Sequence, residues 1–459
     1  MTDVLLETSE RLVTPVHALK ESDLEAFLKG ATPFVSAFAG LNEFKAKSGQ
    51  VLMVPNDQGL ADQLLMGLGS EPKAQDFRGL PSKLPPGDYF IATAPAELSR
   101  DQIALAFALG SYKFDRYKTR GAERPRLVCP DIDRSEVLQI ARACALARDM
   151  INTPANDLGP LQIETLCREV AHQQGAHIEV VTGDSLLEAN YPAVHAVGRA
   201  AAPDRAPRMI EITWGNPEHP VVAIVGKGVT FDTGGLDIKP SASMRQMKKD
   251  MGGAAHALAL SQMIMTAKLP VRLVVLIPAV ENAISADAMR PGDILASRKG
   301  LTIEVGNTDA EGRLILADAL TRACELEPVL TLDLATLTGA ARVALGPQLP
   351  PFYTDDEDLA AQIEIAMRQV DDPMWRLPLW KGYVDSLDSD VADIKNDPDA
   401  WAQAGSVTAA LFLQRFAPKG AWAHFDIFAW NPRARPGWPA GAEAQAIRAL
   451  YRMIAGRFS

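Results

Sequence analysis

Apolar residues along this chain fall into two successive series, in each of which short continuous runs alternate with stretches of helical period. The first series has strand-like runs at 51–54, 89–94 and around 127–130, with a helical stretch over 101–112. An amphipathic helix follows over 135–151, where Val137, Ile140, Ala141, Ala145, Leu146 and Met150 recur near one face. Asn152-Thr153-Pro154 ends it, because the residue before a proline is pushed out of helical geometry.

The second series is more strongly patterned. Continuous apolar strands are expected at 221–225, 271–277, 302–305 and 329–334, with helices at 253–268 and 313–325 between them. Uniformly apolar strands separated by helices predict a mainly parallel sheet covered on both faces. The fold class is therefore α/β: a smaller N-terminal α/β domain over residues 1–145, then a larger domain over 146–459 with a mainly parallel central sheet flanked by helices. Two domains also suit the length, since 459 residues exceed one ordinary core. In such sheets chemistry gathers just past the strand carboxyl ends. Lys227, the 307–311 stretch and the 335–339 stretch all follow predicted strands.

Composition narrows the class. Hydrophobic residues make up 47% and charged residues 22%, and no apolar run approaches the roughly 18 residues that a membrane span needs. The amino terminus carries acids where a secretory signal would carry lysines, so a cytoplasmic location is expected. Cys129, Cys144, Cys167 and Cys324 form no CxxC pair and imply no disulfide framework. A formal charge of -11 makes nucleic acid a poor partner, although Arg116, Lys118, Arg120, Arg124 and Arg126 form a local basic cluster.

Three stretches carry the chemistry: VGKGVTFDTGGLDIKP (225–240), MKKDMGGAA (247–255) and NTDAEGRL (307–314). They hold Asp232, Asp250, Asp309 and Glu311 beside Lys227, Lys239 and Arg313, in segments that otherwise look buried. Four neighbouring buried carboxylates need compensating positive charge, and divalent metal is the natural candidate. Taken alone, Asp309 and Glu311 suit capping of the following helix equally well. The glycines at 226, 228, 234, 235, 252, 253 and 312 favour close packing around the acids, which capping does not require. Other chemistries lack their residues: there is no HExxH, no GxSxG, and Gly226-Lys227 fails the phosphate-loop pattern at both ends.

Those three stretches resemble the cytosol, or leucyl, aminopeptidase family, whose signature is NTDAEGRL. The likeness extends to ARDMINTPAN (147–156), PAVENAISADAMRPGD (278–293), DLATLTGA (333–340) and WAHFDI (422–427). It implies a metalloaminopeptidase that releases amino-terminal residues from peptides by attack of a hydroxide bridging two divalent ions. By that resemblance Lys227, Asp232, Asp250 and Glu311 hold the tighter ion, while Asp232, Asp309 and Glu311 hold the more exchangeable one. Oxygen-rich ligation suits Zn²⁺, Mn²⁺, Mg²⁺ or Co²⁺, with Zn²⁺ and Mn²⁺ leading. Lys239 is expected to stabilise the oxyanion, and Arg313 to hold a bicarbonate that carries the proton. Met247, Thr336, Gly339 and the position of Phe428 line the pocket for the first side chain. The resemblance also implies a homohexamer, and some members bind DNA. A two-metal phosphoesterase uses similar acids, but the pairing of GKGVTFDTGG with NTDAEGRL argues against it.

Two positions depart from the family pattern. Asp237 stands where a small or neutral residue is usual, and strand alternation puts it on the side of Lys239, with which it is expected to pair. Phe428 replaces the usual alanine, so a shorter pocket that favours side chains smaller than leucine is expected.

Overall fold

The computed structural model describes residues 4–118, 123–398 and 403–459. The chain divides into two compact units, Met1–Ala145 with Pro432–Ala440, and Leu146–Asn431 with Gly441–Ser459.

The first unit is built on a six-stranded sheet of order β1-β6-β5-β2-β4-β3. Its strands are β1 (Leu5–Leu6), β2 (Val13–Lys20), β3 (Val51–Pro55), β4 (Ala61–Gly69), β5 (Gly87–Thr93) and β6 (Pro125–Val128). Among the described residues, only the β3–β4 pairing of this sheet is antiparallel. The helix Arg100–Gly110 buries Ile103 through Leu109 without a break, which accounts for its continuous apolar character in the sequence. The segment Pro432–Ala440, read from the sequence as part of the catalytic domain, packs instead with this unit. Arg78 holds it: Nε donates to the Gly437 carbonyl at 2.8 Å, and the guanidinium carbon lies 4.6 Å from the centre of the Trp438 ring. Of the basic cluster, Arg126 pairs with the buried Asp88 at 2.7 Å and Arg124 with Asp115 at 3.1 Å, while Arg120 lies outside the described residues.

The second unit has a nine-stranded sheet of order β16-β15-β18-β14-β9-β11-β8-β7, with β10 pairing β11. These strands are β7 (His177–Thr182), β8 (Arg208–Trp214), β9 (Val221–Gly226), β10 (Gly228–Asp232), β11 (Arg272–Asn282), β14 (Leu330–Ala335), β15 (Pro351–Tyr353), β16 (Trp375–Arg376) and β18 (Ala421–Asp426). Its centre is parallel: β9 runs with β11 and β14, and β14 with β18. Antiparallel strands β7, β8 and β15 finish the sheet. All six residues of β14 are buried, and the helix Gly252–Thr266 is buried on almost every side. One predicted strand belongs elsewhere. Thr302–Glu304 (β13) joins Ile294–Ala296 (β12) and Ile394–Lys395 (β17) in a separate three-stranded sheet. Apolar periodicity locates a strand but not its partner, so the sheet to which it belonged was not legible. Among the described residues no helix is long and apolar enough to cross a membrane.

Candidate active site

Lys227 stands at the carboxyl end of β9, where its backbone N–H donates to Leu334 on β14 at 3.0 Å. Its side chain runs past the first turn of the helix Glu311–Cys324. A β-carbon on Gly312 would lie 2.4 Å from Lys227 Cε, so only glycine admits the lysine there. The ammonium is 2.7 Å from Asp250 Oδ2, 3.0 Å from Glu311 Oε1 and 3.2 Å from the Thr336 carbonyl. Burial works against this charge, yet Asp250, Glu311 and Asp232 raise its pKa above the ordinary lysine value.

Asp232 ends β10, where a register shift against β11 sets it opposite Asn282. Asn282 Nδ2 donates to Asp232 Oδ1 at 2.8 Å and to the Thr308 carbonyl at 3.1 Å. Lys239 lies 2.8 Å from Asp232 Oδ2 and 2.5 Å from Asp309 Oδ1. Burial opposes its charge as well, but Asp232, Glu311 and Asp309 hold it in the ammonium form.

The acids respond unequally to burial. Asp250 stays below the ordinary carboxylate range because Lys227 and Lys249 outweigh its desolvation. Burial and the charge of Asp232 push Asp309 up to about 6 and raise Glu311 well above its ordinary value, despite the lysines. Arg313 is also buried. Its Nη1 donates to the Asn396 carbonyl, Asp397 lies 3.8 Å away, and Nε has no hydrogen-bond partner among the described residues. Burial lowers its pKa, though a guanidinium stays charged.

This donor set suits divalent cations. Ligand atoms of Asp232, Asp309 and Glu311 lie within 4.8 Å of one another, and Glu311 Oε2 is buried without a hydrogen-bond partner among the described residues. A buried carboxylate oxygen left bare costs stability unless a cation meets it. The sheet, the 247–250 turn and the 307–311 loop thus bring all seven predicted charged residues to one place.

Asp237 does not pair with Lys239. Its Oδ2 instead accepts the Thr308 backbone N–H at 2.8 Å and lies 3.1 Å from the Thr308 hydroxyl. Alternation failed because the chain has left the strand by then: Gly234 and Gly235 both take positive φ. Of the pocket residues, Thr336 has its hydroxyl 2.9 Å from Asp250 Oδ1, Met247 shares a one-turn helix with Lys249, and Gly339 opens the helix Gly339–Leu345. The Phe428 ring has the Lys249 ammonium at 4.9 Å and the Arg342 guanidinium carbon at 5.1 Å. Burial brings the Lys249 pKa down to about 8, against the pull of Asp250. Sequence reasoning missed Asn282, Asn396 and Lys249. Asn396 is wholly buried, and its Oδ1 accepts from Gly306 and Asn307, which fixes the start of the acidic loop.

Residues 145–451 match the family model described as cytosol aminopeptidase family, catalytic domain. The chain belongs to the cytosol aminopeptidase family. Residues 14–130 match that of the M17 aminopeptidase N-terminal domain. A probable cytosol aminopeptidase of Syntrophotalea carbinolica is 37% identical, over 97% of this chain and 95% of its own length. The crystal structure of cytosol aminopeptidase from Coxiella burnetii superposes with a TM-score of 0.94 at 41% identity, covering 99% of this chain and all of that one. The bottromycin maturation enzyme BotP, solved in complex with Mn, gives 0.87 at 34% identity, over 97% of this chain and 99% of its own. As a cytosol aminopeptidase family member, the chain is a metal-dependent peptide hydrolase.

Proposed function

We propose that this enzyme removes the amino-terminal residue of peptides at a pair of divalent ions held by Lys227, Asp232, Asp250, Asp309 and Glu311. The observation that carries the reading is the bare, buried Glu311 oxygen facing the carboxylates of Asp232 and Asp309. Lys227, Asp232, Asp250 and Glu311 would form the tighter site, with Asp232 and Glu311 shared with Asp309 in the second. Two such ions supply a water of lowered pKa and polarise the scissile carbonyl. Mn²⁺ and Zn²⁺ are the proposed metals, Mn²⁺ having been found in BotP.

The remaining roles belong to the chain. Lys227 ligates only as the neutral amine, so it must give up the proton that Asp250 and Glu311 stabilise in the metal-free protein. Lys239 keeps its charge and is the donor for the developing oxyanion. Arg313 presents a buried guanidinium whose Nε is unsatisfied, which suits an anion such as bicarbonate as proton carrier. Met247, Thr336, Gly339 and Phe428 line the first-residue pocket, and Phe428 shortens it. We assign residues 1–145 to the N-terminal domain and 146–459 to the catalytic domain, apart from the Pro432–Ala440 segment, and propose a cytoplasmic homohexamer.

The test is release of amino acids from a panel of aminoacyl amides and dipeptides, after chelation and again after restoring Mn²⁺ or Zn²⁺. Metal-dependent cleavage confined to free amino termini is the expected result. A folded protein that takes up two ions yet cleaves nothing would overturn the reading.

A further inference from the structure

We propose that the pocket for the substrate's first side chain is built to receive an acidic side chain, with Lys249 as its partner. This rests on the aminopeptidase reading above and adds charge to what Phe428 says about size.

Lys249 is 5% exposed and lies on the same helical turn as Met247, directly before Asp250. Among the described residues its ammonium makes no hydrogen bond and no ion pair; its contact is with the face of Phe428, 4.9 Å from the ring centre. A buried ammonium with no anion bonded to it is costly, and a cation–π contact recovers only part of that cost. The nearby acids are committed elsewhere. Asp250 faces Lys227 at 2.7 Å and Thr336 at 2.9 Å, and Asp426 accepts from Leu337 and Thr338 backbone N–H groups at 3.0 and 3.1 Å. A second cation stands at the same ring, since Arg342 is exposed, has its guanidinium carbon 5.1 Å from the Phe428 centre, and forms no ion pair among the described residues. Two positive charges thus meet one aromatic ring; Asp250 and Asp426 lie near enough to favour the Lys249 charge, but neither forms an ion pair with it, and Arg342 has none either among the described residues. A first residue carrying a carboxylate supplies the missing anion, whereas lysine or arginine adds a third cation and is disfavoured.

Isosteric pairs test this: kcat/KM for aspartyl against asparaginyl amides, and glutamyl against glutaminyl amides, on the Mn²⁺-loaded enzyme. The acid is expected to win by at least about tenfold, with lysyl amide the poorest substrate. In Lys249→Met the acid-to-amide ratio falls toward one. That change separates pairing with Lys249 from chelation of the substrate acid by metal, because chelation survives the substitution. Should Lys249→Met fail to fold, Arg342→Gln on the exposed helix lowers the same ratio, and free aspartate inhibits the unaltered enzyme more strongly than asparagine. A parent ratio at or below one overturns the proposal, as does an unchanged ratio in a folded Lys249→Met. Failure to cleave any amide with any metal, alanyl amide included, would instead remove the aminopeptidase reading itself.

Discussion

Asp237 is bonded to Thr308, accepting its backbone N–H at 2.8 Å, while the Thr308 hydroxyl donates to the Gly234 carbonyl at 2.6 Å. The glycine turn after β10 and the loop carrying Asp309 and Glu311 are therefore one stitched unit. In Asp237→Ser the Thr308 N–H loses its charged acceptor, at a cost of about 1–2 kcal/mol. Thermal melts should show that loss, and titration of the chelated enzyme with Mn²⁺ should show weaker uptake at the more exchangeable site. Unchanged melting and metal uptake would mean that the stitch is redundant.

Glu311→Gln should separate chemistry from folding. Burial and Asp232 already raise the Glu311 pKa in the metal-free protein, so a neutral amide of the same shape costs little there. Melting of the chelated variant should match the parent within a few degrees, while metal-dependent turnover falls by about a thousandfold or more. Retained turnover would take Glu311 out of the site.

Lys227→Met should do the reverse in metal-free protein. The ammonium compensates the Asp250 carboxylate at 2.7 Å, and removing one partner of a buried pair costs about 3–5 kcal/mol. Urea unfolding after chelation measures it, and a midpoint equal to the parent's would show that the acids do not need this cation.

Phe428→Ala should lengthen the first-residue pocket. The ratio of leucyl to alanyl amide cleavage is expected to rise, by about 1–3 kcal/mol of discrimination at most. No shift in that ratio would make Phe428 a packing residue only.

A pH effect follows from His424 on β18, whose Nδ1 lies 2.5 Å from Asp333 Oδ1 on β14. Burial opposes the imidazolium, but Asp333 raises its pKa above the ordinary 6.5. A raised folded value means that the pair's contribution is fully present below pH 6.5 and lost as pH rises through the folded pKa. Urea midpoints should therefore decline on going from mildly acid to alkaline pH, and Asp333→Asn should flatten that decline. An equal slope in the variant would place the titration elsewhere.

What could be read beforehand follows from how burial writes itself into sequence. β9 and β14 are buried along their length and so appear as unbroken apolar runs. β18 is equally buried but carries His424 and Asp426, whose partners lie far along the chain, so it breaks the pattern. The charged cluster was legible because four acids and two lysines in glycine-rich stretches have few other uses. Its supports were not: Asn282, Thr308 and Asn396 look like any polar loop residue until their partners are in place. Lys249 inverts the usual rule that lysines face water. Asp237 was misjudged because strand alternation was carried one turn too far.

The strap at Pro432–Ala440 bears on how the protein is made. Its partner Arg78 leaves the ribosome more than three hundred residues earlier, so the N-terminal unit spends most of synthesis with one of its pieces still unwritten. A fragment cut at the domain boundary would lack Gly437 and Trp438, leaving the buried Arg78 guanidinium without the carbonyl and the indole that receive it. The first unit to be translated is thus among the last to be finished.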